Sequence, residues 1–158
     1  MKHLLGSTIV AGALVVALGW GAGNVWAQQD AEAAVKDRQT TMKGQGAAVA
    51  TIKKYLDGAV EQGDAVKAAD DLVKLAQTVP SKFPKGTSTT DFPGKSGAKP
   101  AIWTEPDKFA AAAKNEFAEV QKLNAAVKTG DKAAIAAQFD VTGKQGCGGC
   151  HTPYREKL

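Results

Sequence analysis

Beyond residue 30 the apolar side chains recur every three or four positions, and strand-like runs of β-branched residues are missing. That spacing gives a helix one buried face, and four such segments can be read. The first runs from about Ala31 to Asp57, with Val35, Met42, Val49 and Leu56 at seven-residue intervals, Ile52 beside them and Gly58 as the stop. The second opens at Asp64 as N-cap, carries Val66, Ala69, Val73 and Ala76 on one face, and stops at Pro80. A proline- and glycine-rich loop then spans Pro80 to about Thr104, longer than most connections in compact domains. The third helix takes Thr104 as N-cap and Pro106 in its first turn, and carries Phe109, Ala113, Phe117, Val120, Leu123 and Val127 to Gly130. The fourth opens at Asp131 and carries Ile135, Phe139 and Thr142. Short links at Gly58–Gly63 and Thr129–Asp131 favour antiparallel neighbours, so the expected fold is all-α, an antiparallel up-down-up-down four-helix bundle. Alanine at many inward positions leaves that core thin, with room for a bulky buried group.

The N-terminus obeys different rules. Met1-Lys2-His3 precedes a stretch without charge from Leu4 to Gln29 that closes on Val25-Trp26-Ala27. A positive start, an apolar middle and a small-residue ending read as a signal peptide over residues 1–27, leaving 28–158 as one domain. Uncleaved, the same stretch is long enough to anchor the chain in a membrane, but its glycines and its Val-x-Ala ending suit cleavage. Either way the chain is exported, with the periplasm as the expected compartment. The 20 basic and 16 acidic residues are interspersed, with no basic block. Nucleic-acid binding, which concentrates positive charge in a stripe, has no support.

Chemistry is concentrated at the other end. The only cysteines, Cys147 and Cys150, are followed by His151, and the one other histidine, His3, lies in the leader. A zinc site needs four ligands and finds three. A thioredoxin-like dithiol belongs beside a βαβ unit that this chain lacks. A disulfide between adjacent helical turns closes too short a loop to stabilise much. Covalent haem attachment uses every member: the thiols of Cys147 and Cys150 add to the two vinyl groups of one haem c, and His151, on the same helical face, is presented to the iron. The haem is therefore expected near the C-terminal helix.

A haem motif on the last of four helices resembles the cytochrome c′ family, the class II c-type cytochromes, including its low-spin members. Arg38-Gln39-Thr40-Thr41-Met42-Lys43 is similar to the first-helix signature of that family. Lys99-Pro100-Ala101-Ile102-Trp103 followed by Phe109 is similar to the segment that opens its third helix, and Tyr154-Arg155 to its aromatic–basic pair after the haem motif. The resemblance implies a bundle holding its haem between the helices, often as a homodimer packed through the first two. It implies thioethers at Cys147 and Cys150, His151 as proximal ligand, Arg38 and Gln39 near the propionates, Met42 facing the distal side, and Thr87 near the haem edge. Pro153 departs from the pattern: proline removes a donor and clashes with the Gly149 carbonyl, so the last helix should end or kink there.

Two roles remain open for Met42. As sixth ligand its thioether would raise the haem potential and keep the iron closed, which suits a one-electron carrier serving redox partner proteins. As mere filler it would leave a five-coordinate iron open to nitric oxide or carbon monoxide, for gas sequestration or sensing. Trp103 and Tyr154 read as packing residues. No hydrolytic dyad and no distal acid–base pair stands out, so no enzymatic activity is expected.

Overall fold

The computed structural model describes residues 22–158, with side chains from residue 30 onward. The leader expected over residues 1–27 therefore lies largely outside the described residues. The helices are α1 (Ala22–Leu56), α2 (Gln62–Thr78), α3 (Ala101–Thr104, a single turn), α4 (Pro106–Thr129), α5 (Lys132–Val141) and α6 (Gly148–Tyr154). A 3-10 turn, Val79–Lys82, follows α2, and a π-helical stretch, Thr142–Cys147, joins α5 to α6 as one continuous fourth rod. α2 packs on α1 and α4, α4 packs on the whole fourth rod, and α5 returns to α1. This is the four-helix bundle that the spacing predicts. Among the described residues no helix is long and apolar enough to cross a membrane.

Several ends follow local chemistry. Gly58, at φ +78°, closes α1, with its N–H on the Tyr55 carbonyl and that of Ala59 on Lys54, a left-handed cap that glycine adopts without a Cβ penalty. Asp131 caps α5 as expected, its carboxylate accepting from the amides of Ala133 and Ala134. Two expected caps are corrected. α2 begins at Gln62, not Asp64, because the Gln62 amide reaches across to the carbonyls of Val127 and Lys128 and pulls the helix start toward the end of α4. α4 is preceded by Glu105 rather than Thr104. Proline disfavours helical backbone in the residue before it, so Glu105 leaves the helical region just ahead of Pro106, while Thr104 ends α3.

The buried faces also differ in phase from the expected ones. On α1 the buried line is Val35, Arg38, Thr41, Gln45, Ala48, Ile52 and Tyr55; Met42, Val49 and Leu56 are half-buried beside it. A strict seven-residue repeat drifts around a straight helix, and three members of the true line are polar. On α2 the buried residues are Ala65, Ala68, Ala69, Leu72 and Ala76, with Val66 and Val73 flanking. The main core gathers Ile52 and Tyr55 of α1, these α2 residues, Val120, Leu123 and Val127 of α4, and Ile135 of α5. Each fully buried Leu, Ile or Val there contributes about 1.5–3 kcal/mol of apolar transfer. Its many alanines keep it thin, as expected. A second cluster, Ala98, Ile102, Phe109, Cys150 and Tyr154, surrounds the cysteine motif.

Candidate haem site

The fourth rod presents the motif. Cys147 ends the π-helical stretch and Cys150 and His151 lie on the first turns of α6, all on unbroken right-handed helical backbone that keeps the three on neighbouring turns. The π geometry comes from tertiary contacts. Thr142 Oγ1 donates to the Glu119 carbonyl at 3.1 Å and accepts from Gln138 Nε2 at 3.2 Å. Gly146 passes so close to α4 that a Cβ there would sit 3.3 Å from the Glu119 Cβ. After the motif, Pro153 has the expected effect: α6 stops at Tyr154 and Arg155 is extended. The tail then pairs with the long loop, Lys99 N–H on the Tyr154 carbonyl at 3.0 Å and Glu156 N–H on the Gly97 carbonyl at 2.8 Å.

Cys150 is buried and Cys147 half-buried, and the two are not joined to each other. Burial, then the carboxyl of Glu116, pushes both thiols upward, Cys150 to about 11. Neither is a poised thiolate, which separates this pair from a redox dithiol. Burial, and then Arg155, holds His151 below its ordinary range, so its imidazole is neutral near pH 7 with a lone pair to give.

α1 faces this end with Arg38, which is only 5 % exposed. Its terminal nitrogens donate to the carbonyls of Lys82 and Thr87 and to the hydroxyls of Thr87 and Ser96, at 2.9–3.2 Å. The guanidinium also lies over the Phe83 ring, 4.9 Å from its centroid. Phe83 meets Phe109 edge-on, and Phe109 meets Tyr154. An aromatic chain thus links Arg38 to the helix that bears His151. Thr87 is fully buried, and its hydroxyl, which also donates to the Pro84 carbonyl, is occupied in holding Arg38. Gln39 is not in that cluster: its amide donates to the Lys95 carbonyl at 2.7 Å and lines a cavity of about 360 Å³ with Glu32, Lys36 and Phe92. Met42, one turn beyond Arg38, belongs to neither apolar cluster. Trp103 packs against the second cluster and donates its indole N–H to the Phe83 carbonyl.

Among the buried polar residues not read from the sequence, two face each other beside the cysteine motif. Glu116 of α4 is 5 % exposed, and burial pushes its carboxyl up to about 7 despite the approach of the Gln45 amide. Gln45 of α1 is also buried, and its Nε2 has no hydrogen-bond partner. Glu116 sits on the apolar face between Ala113 and Val120, and that placement was the available signal.

Haem c fits these residues. Among the described residues Arg38 is a buried cation with no carboxylate in ion-pair contact, a state that is costly without an anion, and haem propionates would supply one. The orphaned Gln45 amide, buried without a partner, fits a bulky group beside it as well.

The comparisons agree. A sequence model of the family described as Cytochrome C′ matches residues 33–155. Cytochrome c′ of Rubrivivax gelatinosus is 41% identical over 104 residues, 63% of this chain and 79% of that protein. Cytochrome c-556 of Agrobacterium tumefaciens is 32% identical over 125 residues, 78% of this chain and 97% of that one. The solved cytochrome c′ from Rhodobacter Spheriodes superposes with a TM-score of 0.72 at 30% identity, covering 81% of this chain and 98% of its own. The nitric oxide complex of a cytochrome c prime variant from Alcaligenes xylosoxidans does so with 0.70 at 25% identity, covering 80% and 97%. A match that begins on α1 and runs past the end of α6 takes in every packed element of the bundle, and this chain belongs to the cytochrome c′ family, haem proteins whose haem c is covalently bound.

Proposed function

We propose that the protein is an exported carrier of single electrons rather than an enzyme. Its one haem is bound through thioethers at Cys147 and Cys150, with His151 and Met42 as axial ligands. When bound, the haem iron supplies the chemistry by passing one electron between two oxidation states. The chain supplies the rest. Arg38 neutralises the propionate edge, and Thr87, Ser96 and the Lys82 carbonyl hold it there; Gln39 stands at the rim of the same edge. Phe109, Tyr154 and Ile102 keep water from the side of His151. The observation that carries the reading is Met42: it is half-buried on the Arg38 face of α1, yet its thioether fills neither apolar cluster. The leader assigns the protein to the periplasm, where it meets redox partner proteins, and the family resemblance supports a homodimer through α1 and α2.

A second reading has its own support. One of the similar solved structures is a nitric oxide complex, and a five-coordinate iron here would take that gas or carbon monoxide. Absorption spectra, oxidised and reduced, with and without carbon monoxide, decide between the two. An electron carrier shows low-spin bands indifferent to the gas, and Met42→Ala converts them to high-spin bands that respond to it. High-spin, gas-responsive bands in the unaltered protein would put gas binding first.

A further inference from the structure

We propose that Glu116 and Gln45 form a buried proton-holding site beside the haem-bearing cysteines, and that each electron entering the protein is accompanied by a proton taken up on the Glu116 carboxyl. The inference rests on the haem-carrier reading above and adds to it a proton that neither the motif nor the family match assigns.

The geometry isolates this carboxyl. Glu116 lies on the inner face of α4, where Gly146 of the fourth rod passes at van der Waals distance; a Cβ on Gly146 would stand 3.6 Å from the Glu116 Cα. Asn115 ties the same stretch down through the Gln145 carbonyl at 2.8 Å. From α1 the opposing group is the buried Gln45, whose Nε2 has no partner of its own. Charges on the neighbouring elements are engaged elsewhere. Glu119, one turn on, is held by Lys122 and Gln138; Lys144 by Asp140; Arg38 of α1 by the loop. Cys147 and Cys150 face Glu116 from the fourth rod and carry no charge as thioethers. His151 follows them.

An unpaired carboxyl in such a place has a charge state that yields to any nearby change of charge. Burial already brings Glu116 to about 7, so both forms are populated near neutrality. An electron delivered by a redox partner removes one unit of positive charge from the haem site, which makes the carboxylate less favourable. One O–H bond then forms on Glu116 with a proton from water, and the net charge of the buried region is unchanged. The Gln45 amide, facing the carboxyl from α1, favours the deprotonated form and so sets where the exchange falls.

The test is the midpoint potential of the haem-loaded protein as a function of pH, for wild type, Glu116→Gln and Gln45→Leu, together with the reduced-minus-oxidised infrared spectrum. In wild type the potential should fall with rising pH around neutrality, with a slope approaching one proton per electron, and a protonated-carboxyl band should appear on reduction. Glu116→Gln should keep the haem absorbance while losing both slope and band. Gln45→Leu should move the sloped window to higher pH, since the amide that favours the anion is gone. A Glu116→Gln profile that superimposes on wild type overturns the proposal. A protein that acquires no covalent haem fails the carrier reading instead, and the absorbance separates the two results.

Discussion

The two ends of the bundle are built on different terms. At one end Ile52, Leu72, Leu123, Val127 and Ile135 meet with almost no exposure, and the side chains between them are alanines. At the other, the cysteine motif shares its interior with Arg38, Gln45, Thr87, Ser96 and Glu116. The apolar end is complete as it stands: its contacts are short-range and mutual, and it needs nothing from outside. The cysteine end contains a cation without a counter-charge, an amide without a partner and an acid held partly neutral. Such groups oppose folding of the bare chain, and the cation and the amide become reasonable once a large group with anionic arms lies among them. Stability resides in one half, and a demand for cofactor in the other.

The largest effect should come from the apolar half. Leu123→Ala removes a side chain that is 1 % exposed and should lower the unfolding free energy by about 2–5 kcal/mol. Denaturant titration of the haem-loaded protein gives the loss, and its absorption bands should not move. A shifted spectrum would mean that the apolar end also shapes the haem pocket.

Glu116→Gln is the converse test, made in the polar half. Raised in the folded state, the Glu116 carboxyl binds more protons folded than unfolded between its ordinary range near 4.5 and its folded value near 7. Stability is therefore fully present below the unfolded value, falls as pH rises through that window and is flat above it. Glutamine should remove the penalty, raising stability at pH 8 by about 3 kcal/mol and leaving it unchanged near pH 4. Equal gains at both values would show that the charge of Glu116 is not what opposes folding.

The same division marks what could be read from the sequence. Spacing exposed the four rods of the bundle, because apolar residues announce a buried face, but not the single turn α3 inside the expected loop; Gly58, Asp131 and Pro153 act locally, on their own backbone. Cys147, Cys150 and His151 were legible because that chemistry needs them adjacent. Gln45 and Glu116 were not, since hydropathy assigns polar residues to solvent and only the assembly of the bundle puts them inside. Arg38 was found through a resemblance, but its partners Thr87 and Ser96 come from a loop whose path no periodicity encodes. The caps at Asp64 and Thr104 were misplaced for similar reasons: the reach of Gln62 to α4 decides one, and the constraint that Pro106 imposes on Glu105 decides the other.

The π-helical stretch between the two ends is the place to ask whether they are mechanically separate. Thr142 is 2 % exposed, and its hydroxyl joins the Glu119 carbonyl to Gln138. Valine has the same shape without the hydroxyl, so Thr142→Val should cost about 1 kcal/mol, the smallest of these changes. If the stretch is only a seam, thermal unfolding of the haem-loaded protein shows that loss while the absorption bands and the potential stay in place. If instead the π turn sets how Cys147 and His151 are presented, relaxing it toward an ordinary helix rotates the motif, and the bands shift although stability has hardly changed. The second result would give the fourth rod one function along its whole length, with the apolar end fixing the register in which the other end receives its haem.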